Sequence, residues 1–380
     1  MIDALDYTLI HDSKAMVSAI KDLSAFPSLA IDLEMENYCH RPGLYLSLIQ
    51  ISTSDKRNFI FDCQSEMNLE PLGALLTNPD IELIIHDASF DKRACYQLYH
   101  WKLNHFFDTR IAAQFCGIRQ FGLVNLLENL LNIHTNKKFQ RFNWLKRPLP
   151  NDALQYAVKE TAFLFNLKDN LKKRLIELDR LGWVQEEFVL QENIKIPANP
   201  VPLHYRIKKS SFLSPAQLTV LRELVAFREE LAQKVGQPVQ HIIKNKQLLW
   251  LAAHPPHNIK ELAQINGFHP AVYCKPNMQN FMKAIRKGLQ APEDTHPAWY
   301  KKATAKSFNN KLKKKMQKWR AKLACELNLE PHLLLPNDVL KWYASNPDKV
   351  PPASIVSCLR KWQKSLLWNS FKKEFAIPEK

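Results

Sequence analysis

The chain has 380 residues, 46% hydrophobic and 24% charged, which is enough for two or three domains that each bury a core. No apolar run approaches the roughly 18 residues of a membrane helix, and the N-terminus lacks the basic and apolar segments of a signal peptide. The seven cysteines are at least 21 residues apart, so neither a Cys-x-x-Cys metal site nor a disulfide framework is indicated, and a cytoplasmic protein with reduced thiols is expected.

The formal net charge of +16 is unevenly spread. Residues 1–200 hold 22 Lys+Arg against 25 Asp+Glu, whereas residues 201–380 hold 31 against 12. The change falls near Pro197-Ala198-Asn199-Pro200-Val201-Pro202, a linker signal. So basic a half points to a polyanionic partner, nucleic acid in the first instance, more than to solubility alone. The acidic half is expected to fold without it.

In chain order, Val17 to Leu23 reads as a short helix, and Ser28-Leu29-Ala30-Ile31 opens a buried strand. Asp32 and Glu34 interrupt this apolar run. Residues two apart on a strand face the same side, so both acids project together and raise each other's pKa unless a cation sits between them. A hard divalent ion suits such oxygen ligands, although a strand end running into a polar loop would look the same. Residues 44–52 and 58–62 read as further strands, with antiparallel pairing favoured by the short connections. A helix begins near Leu72, and residues 82–86 form a fourth strand. That strand runs into a helix for which Asp87 is placed as N-cap, with Asp91 in the first turns. Asp108 is placed to cap the helix that includes Ile111 to Phe115.

After a helix over 123–131 comes a basic and aromatic stretch containing Lys138, Phe139, Arg141, Phe142, Trp144 and Arg147. Such interleaving suits phosphates and stacked bases, and equally a packed loop. One helix is expected from Asp152 to Leu178, with Tyr156 and Glu160 sharing a face.

The order of these signals is specific: a strand Asp-x-Glu, His-x4-Asp opening a helix, then Tyr-x3-acid on a later helix. With Leu48-Ile49-Gln50-Ile51 and Trp144-Leu145-Lys146-Arg147-Pro148-Leu149 nearby, the chain resembles the tyrosine-containing DEDD exonucleases, and among them the bacterial ribonuclease D family. The resemblance implies a ribonuclease-H-like α/β domain, a mixed sheet flanked by helices, over residues 1–197. It assigns Asp32 and Glu34 to the first motif, Asp91 to the second, and Tyr156 to the third as the residue that orients or deprotonates water. Glu160 stands where the family has aspartate. Together these acids would hold two divalent ions, Mg²⁺ or Mn²⁺, and the added methylene of Glu160 would reduce activity, favour Mn²⁺ or abolish cleavage.

The basic half reads as a linker over 198–212, a helical domain over 213–290 that resembles HRDC domains, a second linker over 291–305, and a diverged HRDC-like bundle over 306–380. The last rests on an internal repeat at a constant offset of 92, which sets Arg228 against Arg320, Asn245 against Asn337 and Trp250 against Trp342. Residues 301–322 carry ten basic residues and no acidic one, so Lys313, Lys314, Lys315 and Arg320 are expected to contact RNA, as is Arg228. By resemblance the expected activity is 3′–5′ exoribonucleolytic trimming of structured RNA such as tRNA precursors, by a monomer with no membrane partner. A DNA exonuclease, or a non-catalytic RNA-binding scaffold, would share most of these residues.

Overall fold

The apolar runs become the middle of a six-stranded mixed sheet. In the computed structural model, which describes residues 4–37, 40–135, 138–194, 201–294, 309–347 and 349–375, its strands are β1 (Thr8–Ile10), β2 (Ser28–Asn37), β3 (Leu44–Ser52), β4 (Asn58–Asp62), β5 (Glu82–Ile85) and β6 (Phe106–Asp108). Their spatial order is β1-β4-β3-β2-β5-β6. β3 and β4 pair antiparallel with Leu48 opposite Asp62 and Ser52 opposite Asn58, while β1–β4, β2–β5 and β5–β6 are parallel. The unforeseen strands β1 and β6 have three residues each, too few for alternation to show in sequence. On β2, Ala30, Ile31 and Leu33 are buried, which fixes its register and leaves Asp32 and Glu34 together on one face.

Helices α1 (Ser13–Leu23), α2 (Glu70–Leu76), α3 (Ala88–Tyr99), α4 (Thr109–Phe115), α5 (Leu123–Leu131), α6 (Asn151–Ala162), α7 (Leu164–Glu177) and α8 (Leu181–Glu192) accompany the sheet. The single helix expected from Asp152 to Leu178 is two, parted at Phe163. Buried Thr161 bonds Val158 O and meets Ser52 Oγ at 2.7 Å, tying the last turn of α6 to β3. Beyond the break, Leu164, Leu167, Leu171 and Leu175 form the buried stripe of α7.

The described residues divide into two compact units, 4–34, 46–194 and 309–375 forming one, 35–45 and 201–294 the other. In the second, α9 (Leu203–Arg206), α10 (Pro215–Val235), α11 (Val239–Ile242), α12 (Asn245–Ala253), α13 (Ile259–Gln264) and α14 (Lys275–Gln290) surround an apolar core. A reciprocal cap starts α10: Gln217 N donates to Ser214 Oγ at 3.3 Å, and Ser214 N to Gln217 Oε1 at 2.9 Å. Ile207 belongs to this core and His204 Nε2 lies 3.4 Å from Asp294 Oδ2, so the chain from residue 203 is part of the bundle and not linker. Residues 195–200 and 295–308, which carry parts of both expected linkers and Lys301 to Phe308 of the basic run, lie outside the described residues.

The last segment contains α15 (Asn310–Glu326), α16 (Pro331–Leu334), α17 (Asn337–Ser345) and shorter helices up to Phe375. It belongs to the same unit as the sheet. Arg360 forks onto Glu187 at 2.7 and 2.9 Å, Trp362 stacks on Trp183 with centroids 4.5 Å apart, and Arg180 donates to Leu327 O at 2.6 Å. A cut at residue 200 therefore removes part of this unit, contrary to the expectation that the first half stands alone.

The repeat extends to its hydrogen bonds. Arg228 donates to Ile243 O and to Asn245 Oδ1 at 2.7 Å; Arg320 donates to Leu335 O and to Asn337 Oδ1 at 3.0 Å. These two partners are displaced by the same 92 residues, while Arg228 also donates to Glu229 Oε1 at 3.2 Å, where the second copy has Ala321. Both guanidinium groups are buried, which corrects the expectation that they contact RNA: each fastens the loop ahead of a short helix to the long helix beside it. Arg228→Met and Arg320→Met should each cost about 2–3 kcal/mol of stability by leaving carbonyl and amide partners unpaired. Chemical denaturation measures this, and RNA affinity per folded molecule should not change; a surface-contact role would give the reverse.

Candidate active site

β2 and α6 bring three of the predicted acids together. Carboxylate oxygens of Asp32, Glu34 and Glu160 lie within 4.8 Å of one another. The extra methylene of Glu160 does not carry it out of the group. Asp91, buried in the first turn of α3, stands outside this trio, yet its charge bears on Asp32 and Glu34.

Burial first, and then mutual repulsion, raises these groups. Asp32 and Glu34 are held well above the usual carboxylate range by desolvation and by Glu160. Asp91 is pushed up to about 7 by burial, with Asp108 and Glu160 adding to it. Glu160 is raised by burial, although hydrogen bonds from Tyr156, Glu34 and Asp32 pull it the other way. No lysine or arginine is among the main influences on any of the four. A donor set of clustered hard oxygens lacking a counter-charge fits a divalent cation.

The surroundings hold this arrangement in place. The Tyr156 hydroxyl donates to Glu160 Oε1 at 2.8 Å. Its ring is held by Phe139 and Trp144, with centroids 5.7 and 6.2 Å away. Trp144 is fixed in turn because Ser47 Oγ donates to its carbonyl at 2.6 Å. Arg147 bonds Trp144 O, Ser47 Oγ and both carboxylate oxygens of Asp62. Its expected phosphate contact is therefore replaced by a structural one, which fastens the aromatic loop to β3 and β4. No local signal marks this pair, because 85 residues separate its members.

Asp108 does more than its expected capping of α4. Its Oδ1 accepts from Arg110 N at 2.9 Å and from Asp87 N at 3.1 Å, and its Oδ2 accepts from Ala88 N at 2.9 Å. One buried carboxylate thus caps α3 and α4 together, and burial moves it up to about 6 against the pull of those amides. Asp87 occupies the N-cap position of α3 at φ 66° but makes no capping bond; its side chain pairs with Arg110. His86, pushed down to about 4 by burial and Arg110, bonds Thr109 Oγ1 at 2.9 Å.

Beside Tyr156 and Glu160 opens a cleft of about 570 Å³, lined by apolar Leu123, Leu127 and Phe139 and by Lys138 and Lys159. Lys138 reaches Asp152 at 3.9 Å, and Arg141 is exposed on the same loop. Lys313, Lys314 and Lys315 lie on α15, where Lys315 meets Glu374 at 3.4 Å. The structure therefore places Asp32, Glu34, Tyr156 and Glu160 at one point with Asp91 beside them, and the remaining basic candidates in two separate places.

Known proteins resemble this chain over both its sheet-bearing and its helical parts. The 3′–5′ exonuclease family profile matches residues 7–176, and the HRDC domain profile matches 217–285. Ribonuclease D of Granulibacter bethesdensis is 30% identical over 77% of this chain and 74% of its own length. That of Desulfotalea psychrophila is 34% identical over 57% of this chain, and the match spans 59% of that relative. The crystal structure of Escherichia coli RNase D superposes with a TM-score of 0.75 at 21% identity, covering 97% of this chain and 98% of that one, and so shares the fold. Among the described residues no helix is long and apolar enough to cross a membrane.

The acid cluster has a pH signature. Asp91 titrates at about 7 in the folded protein against an ordinary 3.8, so the folded state keeps a proton that the unfolded chain releases. Stability from this group is complete below about pH 4 and is lost as pH rises to about 7. In EDTA, the melting temperature of Asp91→Asn relative to the parent should therefore rise across that window. Thermal melts at several pH values check it, and a flat difference would contradict the assigned direction.

Proposed function

The chain belongs to the ribonuclease D family of 3′–5′ exonucleases, and we propose that it removes nucleotides from the 3′ ends of structured RNA, tRNA precursors among them. The observation that carries this reading is the convergence of three carboxylates and the Tyr156 hydroxyl beside a cleft that combines an apolar wall with Lys138 and Lys159 and with the acids Asp152 and Glu160. The Escherichia coli protein of the same fold is described as an exoribonuclease involved in structured RNA processing, which favours RNA over DNA.

Asp32, Glu34 and Glu160 would hold divalent metal, with Asp91 supporting from α3. Two such ions, Mg²⁺ or Mn²⁺, would neutralise charge on the scissile phosphate and its leaving oxygen. The chain's own groups do the positioning. Tyr156 gives its hydroxyl proton to a hydrogen bond with Glu160, which leaves its oxygen lone pairs to receive a hydrogen bond from the attacking water. That geometry supports Tyr156 as the residue that orients the water. The terminal base would rest against Leu123, Leu127 and Phe139, with Lys138, Arg141 and Lys159 near the phosphates. Lys313, Lys314 and Lys315 would contact the RNA body from α15. The non-catalytic alternative rests on Glu160 alone, and carboxylate oxygens of Glu160 within 4.8 Å of those of Asp32 and Glu34 support the catalytic reading instead.

Glu160→Gln should lower the cleavage rate by about 100-fold or more, because a metal contact loses its charge. Glu160→Asp should also lower it, since the longer side chain already reaches its partners. Steady-state digestion of labelled RNA and DNA of one sequence in Mg²⁺ and Mn²⁺ reads both effects. Parental activity in the Glu160→Gln variant would exclude Glu160 as a ligand, and equal digestion of the two substrates would remove the RNA preference.

A further inference from the structure

The two helical bundles repeat one another in sequence and in the arginine–asparagine clamp, so a position where they differ in surface chemistry is informative. Trp250 on α12 is such a position. It is 50% exposed, and the His254 ring stacks on it with centroids 5.4 Å apart and an interplanar angle of 29°. Lys246, Trp250 and His254 follow one another at intervals of four, so they form one line along the helix, and all three are exposed. From Val239 to Lys260 the chain carries three lysines, three histidines and no acidic residue.

The second bundle keeps the tryptophan and loses its setting. Trp342 is half-buried, packs against that bundle's core and meets Tyr343 edge-on with centroids 5.0 Å apart. Asp338 stands in place of Lys246 and Asn346 in place of His254. The corresponding segment, residues 331–352, has two acidic residues against two lysines. One tryptophan therefore serves its own core, while the other lies open at the surface in a segment that carries lysines and no acidic residue. A tryptophan kept open in that setting suits a ligand with a flat π-face and a negatively charged backbone.

We propose that Trp250 is a stacking platform for an unpaired nucleobase of the RNA substrate, with Lys246 and the neighbouring cations facing the flanking phosphates; this rests on the RNA-directed function proposed above. The site would take a single-stranded segment, because only an unstacked base offers a free face to an aromatic ring. It is also tolerant of sequence, since every base has such a face. The phosphate-contacting lysines of α15 are then a separate device on the other bundle.

Binding is measured by fluorescence anisotropy in the full chain carrying Asp32→Asn, which prevents digestion. The probes are a two-stranded RNA duplex with a single-stranded 3′ tail and the same duplex with blunt ends, neither of which has a loop. Trp250→Ala should weaken binding of the tailed RNA about tenfold, and Trp250→Phe should recover most of the loss. The salt dependence should stay unchanged, because stacking releases no counterions. Blunt RNA should bind both proteins equally. Parental affinity of Trp250→Ala for the tailed RNA overturns the platform while leaving the exonuclease reading intact. An equal loss on both RNAs overturns it as well, assigning Trp250 to duplex contact. A parent that neither binds nor cuts RNA overturns both readings.

Discussion

Four carboxyl groups gathered where water is scarce form the constraint on which this nuclease unit depends. Left to themselves, Asp32, Glu34, Asp91 and Glu160 would separate or take up protons, and their raised pKa values measure that tendency. They stay together because each sits on an element fixed for other reasons. β2 lies between β3 and β5, α6 is tied to β3 through Thr161 and Ser52, and α3 is capped by Asp108. The surrounding contacts hold a geometry that becomes favourable once cationic charge enters it.

The parts of this arrangement that depend on neighbours in sequence were legible there. The face shared by Asp32 and Glu34 follows from strand alternation, and that shared by Tyr156 and Glu160 from helical spacing. The mixed sheet and the helical second half were also readable from pattern and resemblance. Contacts over long separations were not. Arg147 reads as a phosphate ligand until Asp62 is seen beside it, and Asp108 reads as the cap of one helix until the start of α3 folds back onto it. The break at Phe163 arises from the same kind of cause, since nothing in its vicinity announces that Thr161 will meet Ser52.

Arg228 and Arg320 show how charge can mislead. A lysine- and arginine-rich stretch invites an electrostatic interpretation, yet these two are buried and hold loops in place. Their common partners at one sequence offset are better evidence for duplicated architecture than the aligned apolar residues, because a buried guanidinium tolerates few alternative arrangements. What remains exposed on the two bundles, a lysine-rich helix on one and a tryptophan on the other, marks where the copies parted company.

The docking of Arg360 on Glu187 and of Trp362 on Trp183 bears on how the chain is made. The sheet unit is discontinuous along the chain, opened by one bundle and closed by the next. A ribosome emits the first 194 residues long before the partners of Trp183 and Glu187 exist. During that interval an aromatic surface and a carboxylate await segments still to be translated, while the intervening bundle has everything it needs to fold. Completion of the nuclease unit thus waits for the segment around Arg360 and Trp362, and a product truncated before residue 360 leaves Glu187 and Trp183 without these partners.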